Sequence, residues 1–310
     1  MPTDPNPYFQ QVRLLLELLP HVSSESDFAL KGGSALNLFI RDMPRLSVDL
    51  DLVYLPLHDR DTSLQQIGAA FARIADGIEA NLRGSRVRRL QQGTSGIISK
   101  LLVQQNAHSV KIEVSPVSRG CIHKPTPRPV QPKVEQQFGY AEMLVEHHHD
   151  LYAGKLCAAL DRQHPRDLFD VHFLLENEGI TPALKDTFII YLISSNRPMA
   201  ELLAPNRHDI KAVYAAEFVG MTNEHVPLEQ LLDTRERMIA TLHALLTDRD
   251  REFLLSLKRG SPDWSLCALP DAANLPAVRW KLHNLSNMKP AQHRHALSKL
   301  TEVLNHPHRT

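Results

Sequence analysis

Two aspartates, two positions apart, lie in an otherwise apolar stretch of the sequence. Asp49 and Asp51 alternate with apolar residues over positions 46–55, a period of two that predicts a β-strand with one apolar and one acidic face. Side chains at i and i+2 of a strand share a face, so the carboxylates would lie about 6–7 Å apart. A divalent cation with oxygen ligands would relieve their repulsion, and phosphoryl transfer uses such cations. The alternative is the solvated face of an edge strand.

A glycine turn precedes these aspartates. Lys31-Gly32-Gly33-Ser34 follows a short strand predicted over residues 27–31 and leads into an apolar helix predicted over 35–41. A helix start of this kind presents backbone N–H groups to an anion. Ser34 is expected to cap the helix and to donate to a phosphate. An ordinary tight turn with a serine cap is the alternative, and the pattern matches neither the P-loop nor the Rossmann fingerprint.

A third carboxylate, Glu113, lies on a strand predicted over 109–115. Lys111 and Glu113 would share one face of this strand, while the apolar residues between them would face the core. If this strand lies beside the strand of Asp49, Glu113 joins the acidic group. The alternative is the polar face of a surface hairpin.

Lys155 lies inside a largely apolar helical stretch, residues 151–160. A lysine in such a stretch extends to solvent, pairs with an acid or binds an anion. Asp167 and Asp170 follow, three positions apart, which places them side by side on a helix. Two compatible interpretations remain open: a lysine that binds an anion, and a salt bridge from Lys155 to one of these aspartates.

Two further groups give weaker signals. The run of histidines at 147–149 suggests metal, but consecutive residues do not share a helix face, so solvated histidines are favoured. Arg83, Arg86, Arg88 and Arg89 form a local basic cluster. This cluster predicts either a phosphate contact or a solvated strand end.

The elements that must position these residues fall into two parts. An α/β domain is predicted over 1–118, with a first helix over 7–20 ended by Pro20, a long helix over 61–83, and further strands over 86–91 and 97–104. The proline-rich residues 119–139 predict an extended crossing segment. A helical domain that contributes to the active-site cleft is predicted over 140–310, with helices near 141–162, 167–177, 182–194, 208–219, 227–247, 250–258 and 288–305.

Composition narrows the class of protein. Acidic and basic residues are equal in number, 35 each, so a nucleic-acid partner would be bound by a local basic patch. The three cysteines lack CxxC spacing, which argues against a zinc ribbon and suits a reducing cytosol. The sequence has neither a signal-peptide pattern at its N-terminus nor an apolar stretch long enough to span a membrane. We therefore expect a soluble cytoplasmic protein with no membrane partner.

The motifs, taken in order, resemble the AbiEii/AbiGii nucleotidyltransferase toxin family of type IV toxin–antitoxin systems, within the polymerase-β-like superfamily. The resemblance extends from about residue 28 to about residue 285 and includes segments 253–260 and 275–282. Each motif alone is weak evidence for the family, but the combination of motifs in this order is specific to it. It is carried by Lys31-Gly32-Gly33-Ser34-Ala35-Leu36, Arg45-x-Ser47-x-Asp49-Leu50-Asp51, Lys111-Ile112-Glu113, Lys155-Leu156-x-Ala158 and Arg166-Asp167-Leu168-Phe169-Asp170.

The resemblance implies an α+β fold: a polymerase-β-like nucleotidyltransferase domain with a mixed sheet, followed by a helical C-terminal domain. It implies transfer of a nucleoside monophosphate from a nucleoside triphosphate to an RNA acceptor, the 3′ end of tRNA in relatives, with pyrophosphate leaving and translation blocked. It also implies a separately encoded AbiEi-like antitoxin and a place in phage defence. Transfer to a protein or small molecule, and a catalytically inactive binding module, are the alternatives.

The resemblance also assigns roles to residues. Asp49, Asp51 and Glu113 would bind Mg²⁺, with Mn²⁺ as the alternative ion. Many nucleotidyltransferases have aspartate at the position of Glu113, so the longer side chain leaves its direct metal contact open. The catalytic set would be Asp49, Asp51, Lys155, Asp167 and Asp170, and the nucleotide-binding set Lys31, Gly32, Gly33, Ser34, Ser47, Lys111 and Arg166.

Overall fold

The chain forms two units, which are described separately. The structure, a computed structural model, describes residues 7–91, 96–222 and 225–305. The first unit comprises Met1–Leu151 with Gly220–Glu224, and the second comprises Tyr152–Val219 with His225–Thr310. The division falls inside a helix, α5 (His148–Arg162). The predicted domain boundaries at residues 118 and 139 stay predictions.

A mixed sheet of seven strands organises the described part of the first unit. Its spatial order is β3-β4-β5-β2-β1-β7-β6. The β2–β5 and β1–β7 pairs are parallel and the other pairs are antiparallel. The strands are β1 (Phe28–Lys31), β2 (Asp49–Tyr54), β3 (Ser85–Gln91), β4 (Ile98–Gln105), β5 (His108–Val114), β6 (Thr126–Pro129) and β7 (Glu142–Val145).

Helices cover the apolar side of this sheet. Helix α1 (Pro7–Ser23) contacts β5 and β7, and α3 (Arg60–Asn81) contacts β3 and β4. Helix α3 begins where Asp59 accepts a hydrogen bond from the amide of Thr62, at 2.9 Å, an N-cap that satisfies an orphan donor. The large apolar residues of α3, including Ile67, Phe71 and Ile78, are buried, as the helical period of the sequence predicts.

Three predictions in the first unit differ from the structure. Helix α1 continues through Pro20 to Ser23 rather than ending there. The segment expected to be an extended crossing contains β6 and the helix α4 (Pro132–Phe138); β6 tolerates its two prolines because it is an edge strand with one paired side. Residues 142–145 form β7 instead of the start of a helix, because both β1 and β6 pair with them.

The second unit is helical in its described part. Helix α6 packs against α10, α7 against α12, and α13 against α8 and α11. Helix α12 was not predicted, and α5 begins seven residues later than predicted. The helices after α5 are α6 (Pro165–Asn177), α7 (Pro182–Ser194), α8 (Met199–Leu203), α9 (Lys211–Glu217), α10 (Leu228–Leu245), α11 (Asp248–Arg259), α12 (Pro276–Ser286) and α13 (Pro290–Asn305).

The α+β prediction, with a mixed sheet followed by a helical C-terminal half, is confirmed. No helix among the described residues is both long enough and apolar enough to cross a membrane. The N-terminal residues 1–6, on which the expectation about a signal peptide depended, lie outside the described residues.

Candidate functional site

A charged face of the sheet is centred on β2. Asp51 lies opposite Lys31 of β1 and opposite Glu113 of β5, and Asp49 lies opposite Lys111 of β5. Side chains at directly paired positions project from the same face of a sheet. The structure therefore brings together five of the predicted site residues on one face, and the expected adjacency of the Asp49 and Glu113 strands is present.

Among the acids of this face, Asp51 is the one whose negative charge is least compensated by neighbouring cations. Its carboxylate has no hydrogen bond and no close ion pair among the described residues. Burial raises its pKa above the ordinary value, and the positive charges of Lys31 and Lys111 oppose that increase. Because desolvation penalises the charged form, an anionic Asp51 favours a cation near it.

Glu113 differs, because two lysines contact it. Lys111 Nζ lies 2.8 Å from Glu113 Oε1, and Lys100 Nζ lies 3.2 Å from Oε2. Although burial works against ionisation, these ammonium groups hold the pKa of Glu113 below its ordinary value. Lys111 also lies 3.8 Å from Asp49 Oδ2. Sequence reasoning did not select Lys100; the signal was its alternation with buried Ser99 and Leu101 on a strand.

The glycine turn lies against this face. Helix α2 is a single turn, Gly32–Ser34, that continues as a π-helix over Ala35–Ile40. Gly32 has a positive φ of 73°, and a Cβ there would lie 2.7 Å from Asp51 Oδ2. A Cβ on Gly33 would lie 2.8 Å from Arg45 Nη2. Gly32 is favoured by both its positive φ and its approach to Asp51, whereas a side chain at Gly33 would require Arg45 to shift.

Ser34 does not cap the helix, contrary to the prediction. The helical turn starts at Gly32, which places Ser34 inside it rather than before it. The buried Ser34 hydroxyl donates to the backbone carbonyl of Asp49 and lies 3.0 Å from Ser47 Oγ. Ser34 and Ser47 therefore join the turn to the start of β2. Arg45, also buried, lies beside Gly33 and was not among the predicted site residues.

The predicted residues of the second unit form a separate buried cluster. Lys155 Nζ lies 2.9 Å from both Asp167 Oδ1 and Asp170 Oδ2. Arg162 contacts Asp167 as well. Burial opposes ionisation of Asp167, yet Lys155 and Arg162 hold its pKa well below the ordinary value. The salt-bridge interpretation of Lys155 is therefore present in the structure. Arg166 lies 3.6 Å from Glu217.

The basic cluster of β3 divides between the two sides of the sheet. Arg89 pairs with Asp76 and Glu79 of α3. Arg86 and Arg88 are exposed, and the register from β3 through β4 to β5 places them on the same face as Lys111. A cavity of about 440 Å³ in the second unit is lined by none of the predicted site residues.

The three cysteines give no evidence of a nucleophile. All are free thiols. Burial raises the thiol pKa of Cys121 and Cys157 far above the ordinary value, which keeps them protonated and unreactive.

Comparison with known proteins decides the family. The sequence profile described as "Nucleotidyl transferase AbiEii toxin, Type IV TA system" matches residues 13–284. The chain belongs to this family. It is therefore a nucleotidyltransferase of the type IV toxin–antitoxin class, which implies an antitoxin partner, and enzymes of this kind use a divalent metal and a nucleoside triphosphate. The family predicted from the motifs is confirmed.

A solved structure of a toxin supports the fold. The chain is similar to MenT4, a nucleotidyltransferase toxin from Mycobacterium tuberculosis H37Rv, with a TM-score of 0.59 and 15% identity over 90% of this chain and 93% of that one. Terminal uridylyl transferase 4 from Trypanosoma brucei with bound dUTP aligns over 98% of both chains at 10% identity, with a TM-score of 0.27, which is too low to carry an argument. No curated protein matches the chain significantly.

Proposed function

We propose that this toxin is a Mg²⁺-dependent enzyme that transfers a nucleoside monophosphate to the 3′ end of tRNA and thereby blocks translation. The observation that carries the proposal is the charged face of β2, where two aspartates share one side and Asp51 lacks a close partner in the described chain. Phosphoryl transfer depends mainly on positioning and charge stabilisation, and this face supplies both acids and lysines.

The residues fit a divalent metal. Asp49 and Asp51 would hold Mg²⁺, with Mn²⁺ as the alternative, because both offer carboxylate oxygens from one face and the half-buried carboxylate of Asp51 needs positive charge. When bound, the metal supplies Lewis-acid stabilisation of the transferring phosphoryl group. Glu113 is a third candidate ligand, but it must first exchange its contacts with Lys100 and Lys111.

The nucleotide would bind beside the metal residues. In the first unit, the backbone amides of Gly32 and Gly33 and the side chains of Lys31 and Lys111 supply N–H groups and positive charge for the triphosphate. Ser34 and Ser47 would act by fixing the turn to β2. In the second unit, we propose catalytic roles for Lys155, Asp167 and Asp170. We propose that Arg166 binds the nucleotide.

A general base is also available on the β2 face. Asp51 and Glu113 are the two candidates to accept the proton of the attacking hydroxyl. The pKa of Asp51 is raised and that of Glu113 is lowered.

An RNA acceptor fits the distribution of charge. The chain is neutral overall, yet exposed Arg86 and Arg88 lie on the same face as Lys111. A local basic patch of this kind is what phosphate contact requires in a neutral protein. By the family, we further propose an AbiEi-like antitoxin as partner, a role in phage defence and a cytoplasmic site of action.

The decisive experiment tests both the reaction and the acceptor. The purified toxin is incubated with each α-labelled nucleoside triphosphate, Mg²⁺, total RNA and cell protein, and label is followed into RNA and into protein. We expect label in tRNA, lost when periodate has first oxidised the 3′-terminal ribose. Asp49→Asn should abolish labelling, while the exposed control Asp61→Asn should not.

The outcomes separate the alternatives. Label only in protein or in a small molecule would replace the RNA acceptor with that class of substrate. Label in oxidised tRNA would exclude the 3′ end. A protein that remains toxic when it carries Asp49→Asn, with no label in any fraction, would be a catalytically inactive binding module.

A further inference from the structure

Three histidine rings meet where α5 begins. His123 comes from the segment after β5, and His147 and His149 lie on either side of the first residue of α5. Their ligand nitrogens all lie within 4.8 Å of one another. The ring centroids of His123 and His147 are 4.8 Å apart, and those of His147 and His149 are 4.9 Å apart.

The argument that favoured solvated histidines does not apply to this group. It assumed one helix through residues 147–149, on which consecutive residues diverge. Instead α5 starts at His148, so His147 lies before the helix and its ring turns to the same side as that of His149. All three rings are half-buried. His148 is the one member of the run outside the cluster.

A buried carboxylate of α5 joins the segment around His123 to the start of this helix. Asp150, which is fully buried, accepts hydrogen bonds from the amide of Ile122 at 2.9 Å and from that of His123 at 3.0 Å. These bonds fix the backbone of His123 against the first turn of α5. The carboxylate also supplies negative charge close to the rings of His147 and His149.

We propose that His123, His147 and His149 bind a divalent transition-metal ion, with Zn²⁺ the best match. Imidazole nitrogen suits Zn²⁺ and its neighbours in the first row, whereas Mg²⁺ takes oxygen ligands. Three imidazoles and a water complete a tetrahedral zinc shell. With Zn–N bonds of about 2.0–2.1 Å, the nitrogens would lie about 3.3 Å apart, so the rings need to close by only about 1.5 Å.

One hydrogen bond must change when the metal binds. The amide of His149 donates to Nδ1 of His147 at 3.2 Å, so in the neutral ring the proton lies on Nε2. If Nε2 binds the metal, that proton moves to Nδ1, which can then no longer accept the hydrogen bond. If Nδ1 binds the metal, it uses the lone pair that had accepted the hydrogen bond. Either route exchanges one long hydrogen bond for a metal–nitrogen bond.

The ion would have a structural role that is independent of nucleotidyl transfer. It would join the segment around His123 to the junction between β7 and α5. That junction also carries Glu146, whose amide donates to the carbonyl of Leu30, the residue before Lys31. The metal would therefore stabilise the end of β7, the strand that pairs with β1.

Cobalt spectroscopy on the full-length chain tests this site. Any polyhistidine tag is removed, because it binds the same ions, and the chain is dialysed against a chelator. Co²⁺ is then titrated in the presence of excess Mg²⁺. Because Mg²⁺ prefers oxygen ligands, it competes with Co²⁺ for the acidic face. We expect visible d–d absorption that saturates at one Co²⁺ per chain. The absorption should disappear when Zn²⁺ displaces Co²⁺. The Asp51→Asn variant should give the same stoichiometry.

Matched histidine variants locate the ion. His123→Ala should weaken Co²⁺ binding by about 100-fold or more, since even outer-shell partners are worth about 10–100-fold. His148→Ala, the control from the same run, should bind as the unmodified protein does. Zn²⁺ should raise the thermal midpoint of the unmodified chain and of His148→Ala, but not that of His123→Ala.

Three results would overturn the proposal: no cobalt absorption at micromolar protein, unchanged binding by His123→Ala, or equal loss by His148→Ala. If His123→Ala fails to fold by circular dichroism, His149→Asn replaces it in the same titration. Binding retained by His149→Asn would count equally against the site.

Discussion

The two charged clusters of this protein differ in how closely basic side chains contact their acids. In the helical unit, Lys155 contacts both Asp167 and Asp170 at 2.9 Å, and each aspartate side chain is 2% exposed. On the sheet, Asp49 is 40% exposed and its nearest lysine lies 3.8 Å away, while Asp51 has no close partner in the described chain. In the helical cluster both aspartates contact a lysine, whereas on the sheet the lysines contact Glu113 closely and leave Asp51 without a close cation among the described residues.

The pKa shifts express the same difference. Both Asp51 and Asp167 are desolvated, yet the pKa of Asp51 is raised and that of Asp167 is lowered. A raised pKa means that the folded protein holds the proton more tightly than the unfolded chain does, so ionised Asp51 destabilises the metal-free fold as pH rises through that pKa. Ionised Asp167 stabilises the fold, and this contribution is lost as pH falls through its lowered pKa.

The largest expected effect follows from Asp51→Asn. If Asp51 binds metal, nucleotidyl transfer should fall about 1,000-fold, because several kcal/mol of stabilisation are lost at about 1.4 kcal/mol per decade. The thermal midpoint of the metal-free protein at pH 7 should rise, because a half-buried charge without a close cation is removed. Activity is measured by label transfer and stability by calorimetry.

Asp61→Asn is the control for that variant, since Asp61 is exposed on α3, and it should leave both quantities unchanged. A lower thermal midpoint in Asp51→Asn would mean that positive charge compensates Asp51 as well as it compensates Asp167. The two clusters would then not differ in charge compensation.

Lys155→Ala should produce the next largest effect, and mainly on stability. It leaves two buried aspartates without their shared lysine, which typically costs about 3–5 kcal/mol in the free energy of unfolding. Chemical denaturation measures this loss. The matched control is Lys185→Ala, which removes a buried lysine 2.7 Å from Asp250 in the same unit and outside the predicted site.

Both lysine variants should lose stability, but only Lys155→Ala should also lose activity at a temperature where each is folded. Equal activity in the two variants would show that Lys155 only stabilises the helical unit.

The smallest expected effect concerns the glycine turn. Gly33→Ala places a Cβ 2.8 Å from Arg45 Nη2 and 3.0 Å from Ser47 Oγ, and such overpacking costs about 1–3 kcal/mol. Gly77→Ala, in α3, meets only His21 at 3.4 Å and should be neutral or stabilising by up to about 1 kcal/mol. Urea denaturation compares them. Equal stability of the two variants would indicate that the turn has room to move away from the charged face.

The sequence alone determined the local elements and the acidic face. Alternation predicts β2 and β5, and helical periodicity predicts α3, α6, α7, α10 and α11, because these patterns depend on residues a few positions apart. The spacing of Asp49 and Asp51 fixes their common face for the same reason. The order of the motifs was sufficient to identify the family.

Only the tertiary structure decided which of these residues meet. The pairing of β2 with β5, the contact of Lys100 with Glu113 and the approach of Arg45 to Gly33 join residues more than ten positions apart in the sequence, and no local period encodes them. β7 was missed because partners on both sides, rather than its own pattern, make it a strand. His123 lies 24 positions before His147 in the sequence, so only folding brings these two rings together.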